Sequence, residues 1–374
     1  MGLKERIRQR ALELGFEDVG FTGPEPLDRY MREIDSRPKK MYGWVQTDHF
    51  DVRSSAAIAE KHPWAGSLVV LIRNYHRRAF PPQLLGTIGR CYLVDERKEK
   101  GAEYARLMEF FTFLKSEKIR FWFDEALPAR MSAARSGLVT YGKNCFVYSR
   151  RGLRGASWLE SIPLILSVEI EPDPPSIELG CPTWCNNACL AACPTGALYA
   201  PLKMNPLLCI AFHSYYGNEL TPVKLREPMG TWVYGCDRCQ EVCPRNQTWM
   251  NQALPENPVL QARTADFALP KLLEMDDKHY HSKVWPLTFY ISRKKAFTWQ
   301  MNAARALGNL GDRENVPGLI RALTGSPHES VRAMCAWALG RLGGTKSRTA
   351  LEAQRSKESG TAKLEVEQAL AGLS

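Results

Sequence analysis

The chain of 374 residues lacks any run of the roughly eighteen uncharged apolar residues that a membrane span requires. Gly66 to Ile72 and Ile162 to Val168 are apolar but only of strand length. The opening segment MGLKERIRQRALELGF has neither the apolar core nor the small-residue cleavage site of a signal peptide, and reads as an amphipathic helix. Disorder is excluded by composition, since 44% hydrophobic, 24% charged and 10% aromatic residues describe a globular protein. A cytoplasmic location is therefore expected, with no membrane association. Cytosolic thiols are kept reduced, so the eleven cysteines do not read as a disulfide framework, and metal ligation becomes the leading reading. Charge is not segregated either. The formal net charge of +10 is spread through every segment, and suits a polyanion partner or a plain surface excess equally well.

What is present divides into three parts, too much for one ordinary core. Residues 1–175 alternate helical patterns (Lys4 to Leu14, Ala102 to Ser116) with β-rich runs (Ser67 to Ile72, Ile119 to Phe123, Leu164 to Ile170), which predicts an α/β domain. The proline-rich segment Glu171 to Gly180 reads as a turn or linker. Residues 176–285 are rich in cysteine, proline and asparagine with little periodicity, as expected where metal ligands fix the backbone. Residues 286–374 turn helical and repetitive. ARALGNLG at Ala304 to Gly311 returns as AWALGRLG at Ala336 to Gly343, 32 positions on, with a fainter echo, EQALAGL, at Glu367 to Leu373. These resemble HEAT-like helix pairs, serving either as an interaction surface or as a stabilising cap.

Eight cysteines lie within 63 residues. The first run holds Cys181, Cys185, Cys189 and Cys193, followed by Pro194; the second holds Cys236, Cys239 and Cys243, followed by Pro244; Cys209 stands between them. Three closely spaced thiolates can wrap one cubane while a fourth comes from elsewhere, and in two-cluster ferredoxin-type runs the cysteine before proline ligates the other cluster. That pattern predicts a ferredoxin-like module with two 4Fe-4S clusters. Cys181, Cys185, Cys189 and Cys243 would hold one, and Cys193, Cys209, Cys236 and Cys239 the other. Two zinc sites are the alternative. The three gaps of three residues in the first run depart from the usual spacing of two, two and three. Of the remaining cysteines, Cys335 sits on the apolar face of a repeat helix and reads as a buried inert thiol; Cys91 and Cys145 read as ordinary packing.

WVYGCDRCQEVCPRN, CPTGA and CIAFHSYY, together with LGFEDVGF, SLVVLIRNY and FDEALPARMSAARSGLVTYGKN upstream, resemble the cobalamin-dependent epoxyqueuosine reductases over nearly the whole chain. The resemblance implies that the α/β domain binds a corrinoid, that Arg130, Tyr141, Gly142, Lys143, Asn144 and Ser157 contact this cobalamin, and that the two clusters relay electrons to cobalt. It further implies that Asp124 is the general acid at the departing epoxide oxygen, held partly protonated by burial, and that the substrate is a tRNA. An external donor such as ferredoxin or flavodoxin and a monomeric state complete the expectation. The loop Thr140 to Trp158, with Lys143, Arg150, Arg151 and Arg154 and no acidic residue, is expected to bind a nucleotide tail or RNA phosphate through backbone amides at Gly142, Gly152 and Gly155. Departures cluster near the expected substrate pocket: Ala129 replaces an acidic residue, one residue is missing between Asp124 and Gly142, and an aromatic and histidine signature is absent from Gly89 to Gly101. A paralogous reductase of another small molecule, akin to reductive dehalogenases, and a non-catalytic electron-transfer partner are the competing readings.

Overall fold

In the computed structural model the described residues are 1–46, 52–93, 101–217, 220–288 and 290–373. They form two compact units, each assembled from separated stretches of chain. The first comprises Met1–Arg77, Lys100–Pro206 and Arg238–Ala253; the second comprises Arg78–Glu99, Leu207–Asp237 and Leu254–Ser374. Most of Gly89 to Gly101, where the family signature is missing, lies outside the described residues.

The first unit is built on four strands, β1 (Asp18–Thr22), β2 (Ser67–Asn74), β3 (Phe121–Trp122) and β6 (Leu159–Leu166), in the order β1-β2-β6-β3. Every pairing is antiparallel, so the helix-strand alternation read as α/β does not build a parallel sheet. Both faces of β2 are covered, which explains its uninterrupted apolar text. Val69 and Leu71 pack with Ile7, Ala11, Phe110 and Leu114 of helices Leu3–Glu13 and Ala102–Ser116. Val70 and Ile72 face Ala133, Ala134 and Trp158 on the other side. Gly20 of β1 is required by this packing, since a Cβ there would stand 2.5 Å from the Ser136 carbonyl oxygen. The third β-rich run is displaced from its expected place. β6 begins at Leu159 because the β2 register pairs Asn74 with Leu159 and Ser67 with Leu166. The polar Glu160, ion-paired with Arg73, hid the strand's start in the sequence.

Strands β4 (Val139–Tyr141) and β5 (Val147–Ser149) form a separate hairpin in the same unit. The segment Glu171 to Gly180 is no loose linker. Asp173 accepts from the Phe21 amide at 3.0 Å and pairs with Lys4 at 2.8 Å, while the Gly180 amide donates to the Tyr141 carbonyl at 2.8 Å. The chain is thus fastened to β1 and then to β4 just before Cys181.

The second unit is helical: Ala296–Leu310, Val316–Gly325, Glu329–Leu342, Thr345–Arg355 and Gly360–Gly372 stack around one apolar core. The repeat's glycine sets the spacing between copies. A Cβ on Gly308 would meet that of Ala338 at 2.9 Å, and one on Gly340 would meet that of Ala369 at 2.8 Å. The faint third echo therefore makes the same helix-to-helix approach as the clear ones. Gly311 ends the first repeat helix at φ 77, a left-handed cap that favours glycine. Cys335 is fully buried in this core, and burial pushes its thiol well up, as an inert packing residue requires. Among the described residues no helix is long and apolar enough to cross a membrane.

Candidate functional site

Six of the eight clustered cysteines, Cys181, Cys185, Cys189, Cys193, Cys239 and Cys243, belong to the first unit; Cys209 and Cys236 belong to the second. Within the first unit Cys181, Cys185, Cys189 and Cys243 lie within electrostatic reach of one another. Burial, then the thiolates of Cys243, Cys181 and Cys185, push the Cys189 thiol up to about 11. Cys181 is likewise raised by burial and by Cys185 and Cys243, against the Lys143 amide, which favours its thiolate. Thiolates brought this close to Cys181 and Cys189 repel one another, and a bound cation relieves that repulsion. Among the described residues no trio of cysteine, histidine or carboxylate side chains converges as around a single ion. A cubane, with its irons at separate corners, does not ask for that.

The cysteines are held by short helices that their own prolines and turns start. Asn187, at φ 58, turns the chain into helix Ala188–Ala191, and Pro244 opens helix Pro244–Met250 directly after Cys243. A buried polar network ties this second helix to the start of β6. Asn246 accepts from the Ser157 amide at 2.9 Å and donates to the Ser157 hydroxyl at 2.9 Å, and Gln240 donates to the same hydroxyl at 2.9 Å. Ser157 is 1% exposed and spends its polar atoms here.

The hairpin β4–β5 supplies the rest of the surroundings. The Lys143 amide donates to Cys181 Sγ at 3.3 Å, and its ammonium donates to the Cys185 carbonyl at 3.1 Å and to Asn187 at 2.8 Å. Buried Asn144 donates to the Tyr148 hydroxyl at 2.9 Å and to the Cys239 carbonyl at 3.2 Å. The Tyr148 hydroxyl in turn donates to Cys243 Sγ at 3.1 Å. Burial first, then the Cys243 thiolate, pushes this phenol well above its ordinary value. Arg245 lies over the Tyr148 ring at 4.5 Å and donates to neutral oxygens of Thr140 and Gly180. Of the six residues expected to contact a corrinoid, Lys143, Asn144 and Ser157 are thus bonded to the cysteine segments. Gly142 is pressed against Tyr148, its absent Cβ 2.3 Å from the ring. Arg130 and Tyr141 keep solvent-facing surface. Arg130 is exposed, donating to the Cys145 carbonyl at 3.1 Å and lying over Phe146 at 4.8 Å; Tyr141 is half-buried, and burial pushes it up to about 12 against Arg130 and Arg29.

The expected phosphate cradle of Thr140 to Trp158 is not there. The Gly142 amide donates to the Phe146 carbonyl, the Gly152 amide to the Ser149 hydroxyl and the Gly155 amide to the Gly152 carbonyl, so local turns consume all three. Arg151 is paired with Asp18 at 2.9 Å and Arg150 donates to the Gly137 carbonyl at 3.3 Å. Arg150, Arg151 and Arg154 are all exposed, so the loop's charge faces solvent although its glycine amides do not.

Asp124 follows β3 and is 8% exposed. Its Oδ2 accepts from Ser55 at 2.9 Å and from Lys61 at 2.9 Å, its Oδ1 accepts from the Ala126 amide at 3.0 Å, and His62 Nε2 stands 3.8 Å away. Burial favours the neutral acid, yet Lys61, Ser55 and the Ala126 amide outweigh it, and the net shift is downward. This corrects the expectation of a carboxyl held partly protonated: here it is an ionised, ion-paired carboxylate, because a lysine absent from the sequence argument reaches it. Lys61, Ser55, Tyr148, Arg245, Gln240 and Asn246 all went unread in the sequence. Only the last three carried a signal, their places beside Cys239 and Cys243.

Comparison with known proteins extends the picture. Residues 181–246 match the family described as 4Fe-4S double cluster binding domains, which favours iron-sulfur over zinc, and residues 294–371 match HEAT repeats. The chain is 31% identical to the epoxyqueuosine reductase of Bacillus cereus over 376 aligned positions, covering 95% of this chain and 93% of the relative. It is 28% identical to the Bacillus subtilis enzyme, covering 98% and 95%. Among solved structures, epoxyqueuosine reductase from Bacillus subtilis, in a form with its catalytic aspartate loop swung out of the active site, superposes with a TM-score of 0.81 at 26% identity, over 100% of this chain and 99% of that one. An epoxyqueuosine reductase bound to a tyrosine tRNA stem loop carrying epoxyqueuosine gives the same TM-score and identity, over 99% and 98%. The chain belongs to the epoxyqueuosine reductase family, and is an oxidoreductase.

Proposed function

We propose that this chain reduces epoxyqueuosine to queuosine in the anticodon loop of tRNA, using two 4Fe-4S clusters and cobalamin. The observation that supports the reading is that Cys189 lies within electrostatic reach of Cys243, Cys181 and Cys185, the set that the Cys-Pro crossover assigns to one cluster. Cys193, Cys209, Cys236 and Cys239 hold the second cluster. Removing an epoxide oxygen to leave a double bond takes two electrons and two protons and releases water. Each cluster passes one electron at a time, so an external one-electron donor of the ferredoxin or flavodoxin kind must charge the pair.

When bound, cobalamin supplies a strongly reducing metal centre that can deliver an electron pair to an epoxide carbon. The exposed guanidinium of Arg130 and the half-buried phenol of Tyr141 suit its amide and phosphate groups, whereas Lys143, Asn144 and Ser157 serve the clusters. Asp124 is the acid that protonates the departing oxygen. In the arrangement seen here its Oδ2 is the conjugate base, held by the Lys61 ammonium and the Ser55 hydroxyl. The proton it delivers must therefore first come to Oδ2, where Lys61 Nζ and the Ser55 hydroxyl, each at 2.9 Å, are the donors in place. Arg154 offers an exposed cation to RNA phosphate.

The test is anaerobic turnover of the iron-loaded chain with an epoxyqueuosine-bearing tRNA stem loop and dithionite, with and without cobalamin, read by mass spectrometry of the nucleoside. Loss of one oxygen only when cobalamin is added is expected. No conversion by a chain with both clusters loaded and reduced would overturn the substrate, and conversion without cobalamin would overturn the cofactor.

A further inference from the structure

The hydroxyl of Tyr148 has a single proton, and its neighbours fix where that proton goes. The Phe146 amide donates to Asn144 Oδ1 at 3.2 Å, which orients the carboxamide. The Asn144 NH2 group therefore faces the two remaining partners, the Cys239 carbonyl at 3.2 Å and the Tyr148 hydroxyl at 2.9 Å. A carbonyl can only accept, so this orientation is self-consistent. With Asn144 donating to the Tyr148 oxygen, the phenolic proton is left to Cys243 Sγ, 3.1 Å away. Tyr148 is 1% exposed, so water does not compete for it. The guanidinium of Arg245, 4.5 Å from the ring centroid, holds positive charge over the phenol and hydrogen-bonds only neutral oxygens of Thr140, Gly180 and Ser149.

A hydrogen bond to a ligating thiolate withdraws charge from sulfur and favours the reduced, more negative cluster, so it raises the reduction potential. We infer that Tyr148 is a positioning residue for electron transfer: its hydroxyl donates to the Cys243 thiolate and raises the potential of the cluster that Cys243 ligates. The Lys143 amide on Cys181, at 3.3 Å, acts in the same direction on the same cluster. The cluster so tuned is the one held by Cys181, Cys185, Cys189 and Cys243. This rests on the ligand assignment proposed above. Asn144 also links the Cys239 backbone to the same hydroxyl, so the amide that orients Tyr148 touches a ligand of the second cluster as well.

The experiment is a redox titration of the full, iron-loaded chain followed by electron paramagnetic resonance, comparing the native protein with Tyr148→Phe. Phenylalanine keeps the ring under Arg245 and removes only the donor. The expected result is full iron content, a shift of one of the two midpoint potentials to lower potential, and little movement of the other. Two unchanged midpoints in a fully loaded variant overturn the inference while leaving the cluster reading intact. A native chain that takes up no iron overturns both. Should the variant load poorly, the native protein decides: produced and iron-loaded in D2O so that buried positions are exchanged, it is expected to show in its reduced state, by electron-nuclear double resonance, a strongly coupled hydroxyl deuteron at one cluster. Absence of that deuteron overturns the hydrogen bond and the inference with it.

Discussion

The two units surround their cysteines with different chemistry. In the first, the sulfurs of Cys181 and Cys243 receive dedicated donors, the Lys143 amide and the Tyr148 hydroxyl, and the adjoining helices are tied by the buried amides of Gln240 and Asn246. In the second, Cys236 packs against an apolar group of Ile210, Leu225, Met229 and Trp232, and Tyr215 stacks on Tyr290 at 4.5 Å. Rigidity there comes from the repeat. Asn302 donates to the Ser214 and Val233 carbonyls at 2.9 and 3.0 Å, Arg305 donates to the Gly230 carbonyl at 2.7 Å, and Arg90 pairs with Asp237 at 2.8 Å. Hydrogen bonds to sulfur thus steady Cys181 and Cys243, and apolar packing with a helical prop steadies the segment around Cys236. The comparison also speaks to the HEAT-like array. Its first helix braces the loop that leads into Cys236, so at least this part of the array acts as a stabilising cap.

The largest expected break in the comparison is Cys243→Ser. Removing one thiolate of the polar group should cost a whole cluster, lowering iron from about eight to about four per chain, and should abolish turnover. Cys335→Ala, in the repeat core, should leave iron content unchanged. Colorimetric iron and sulfide analysis checks both. Full iron retention by Cys243→Ser would show that the polar surroundings serve something other than a cluster.

Next in size is the scaffold of the apolar side. Arg226 and Glu365, 2% and 6% exposed at their side chains, form a bidentate pair at 2.7 and 2.6 Å that joins helix Val223–Arg226 to the last repeat helix. Glu365→Gln leaves the guanidinium buried without its counter-charge, at a cost of about 3–5 kcal/mol. The helical unit should then melt at clearly lower denaturant, followed by circular dichroism. A midpoint within error of the native one would mean that the array does not depend on this tie.

Much of this was legible in the chain. The cysteine spacing with its two Cys-Pro ends announced a double cluster, and the 32-residue recurrence announced the repeat, because both constraints act on residues near in sequence. The misreadings came from long-range pairing or from local bonds that no pattern displays. Gly142, Gly152 and Gly155 resembled an anion cradle, but their amides close turns a few residues away. β6 was placed too late because Glu160, a polar residue at its start, pairs across the sheet with Arg73. Asp124 was read alone, whereas the lysine that decides its charge lies 63 positions earlier on a helical turn with no motif of its own.

That pair gives the smallest of the expected effects, and one that separates Asp124 from the cysteine surroundings. Lys61, Ser55 and the Ala126 amide hold the carboxyl below its ordinary value of 3.8 in the folded state. The interaction therefore contributes its full stability above the ordinary value, and that contribution is lost as pH falls through the lowered folded value. At neutral pH Asp124→Asn forfeits charge-assisted hydrogen bonds at a partly solvated pair, a loss of about 2 kcal/mol. The difference from the native protein should shrink steadily below about pH 4 and close in stronger acid, since both proteins then carry an uncharged side chain there. Thermal unfolding of the cluster-free chain across that range measures it, so that acid attack on the iron does not intrude. A difference that stays constant with pH would mean that Asp124 is held by shape and neutral hydrogen bonds rather than by the Lys61 charge. Lys61→Met sharpens the point: it should raise the carboxyl's pKa by leaving burial unopposed by the ammonium, and, since the acid works in its protonated form, should shift the alkaline limb of turnover upward while the cluster signals stay where they are.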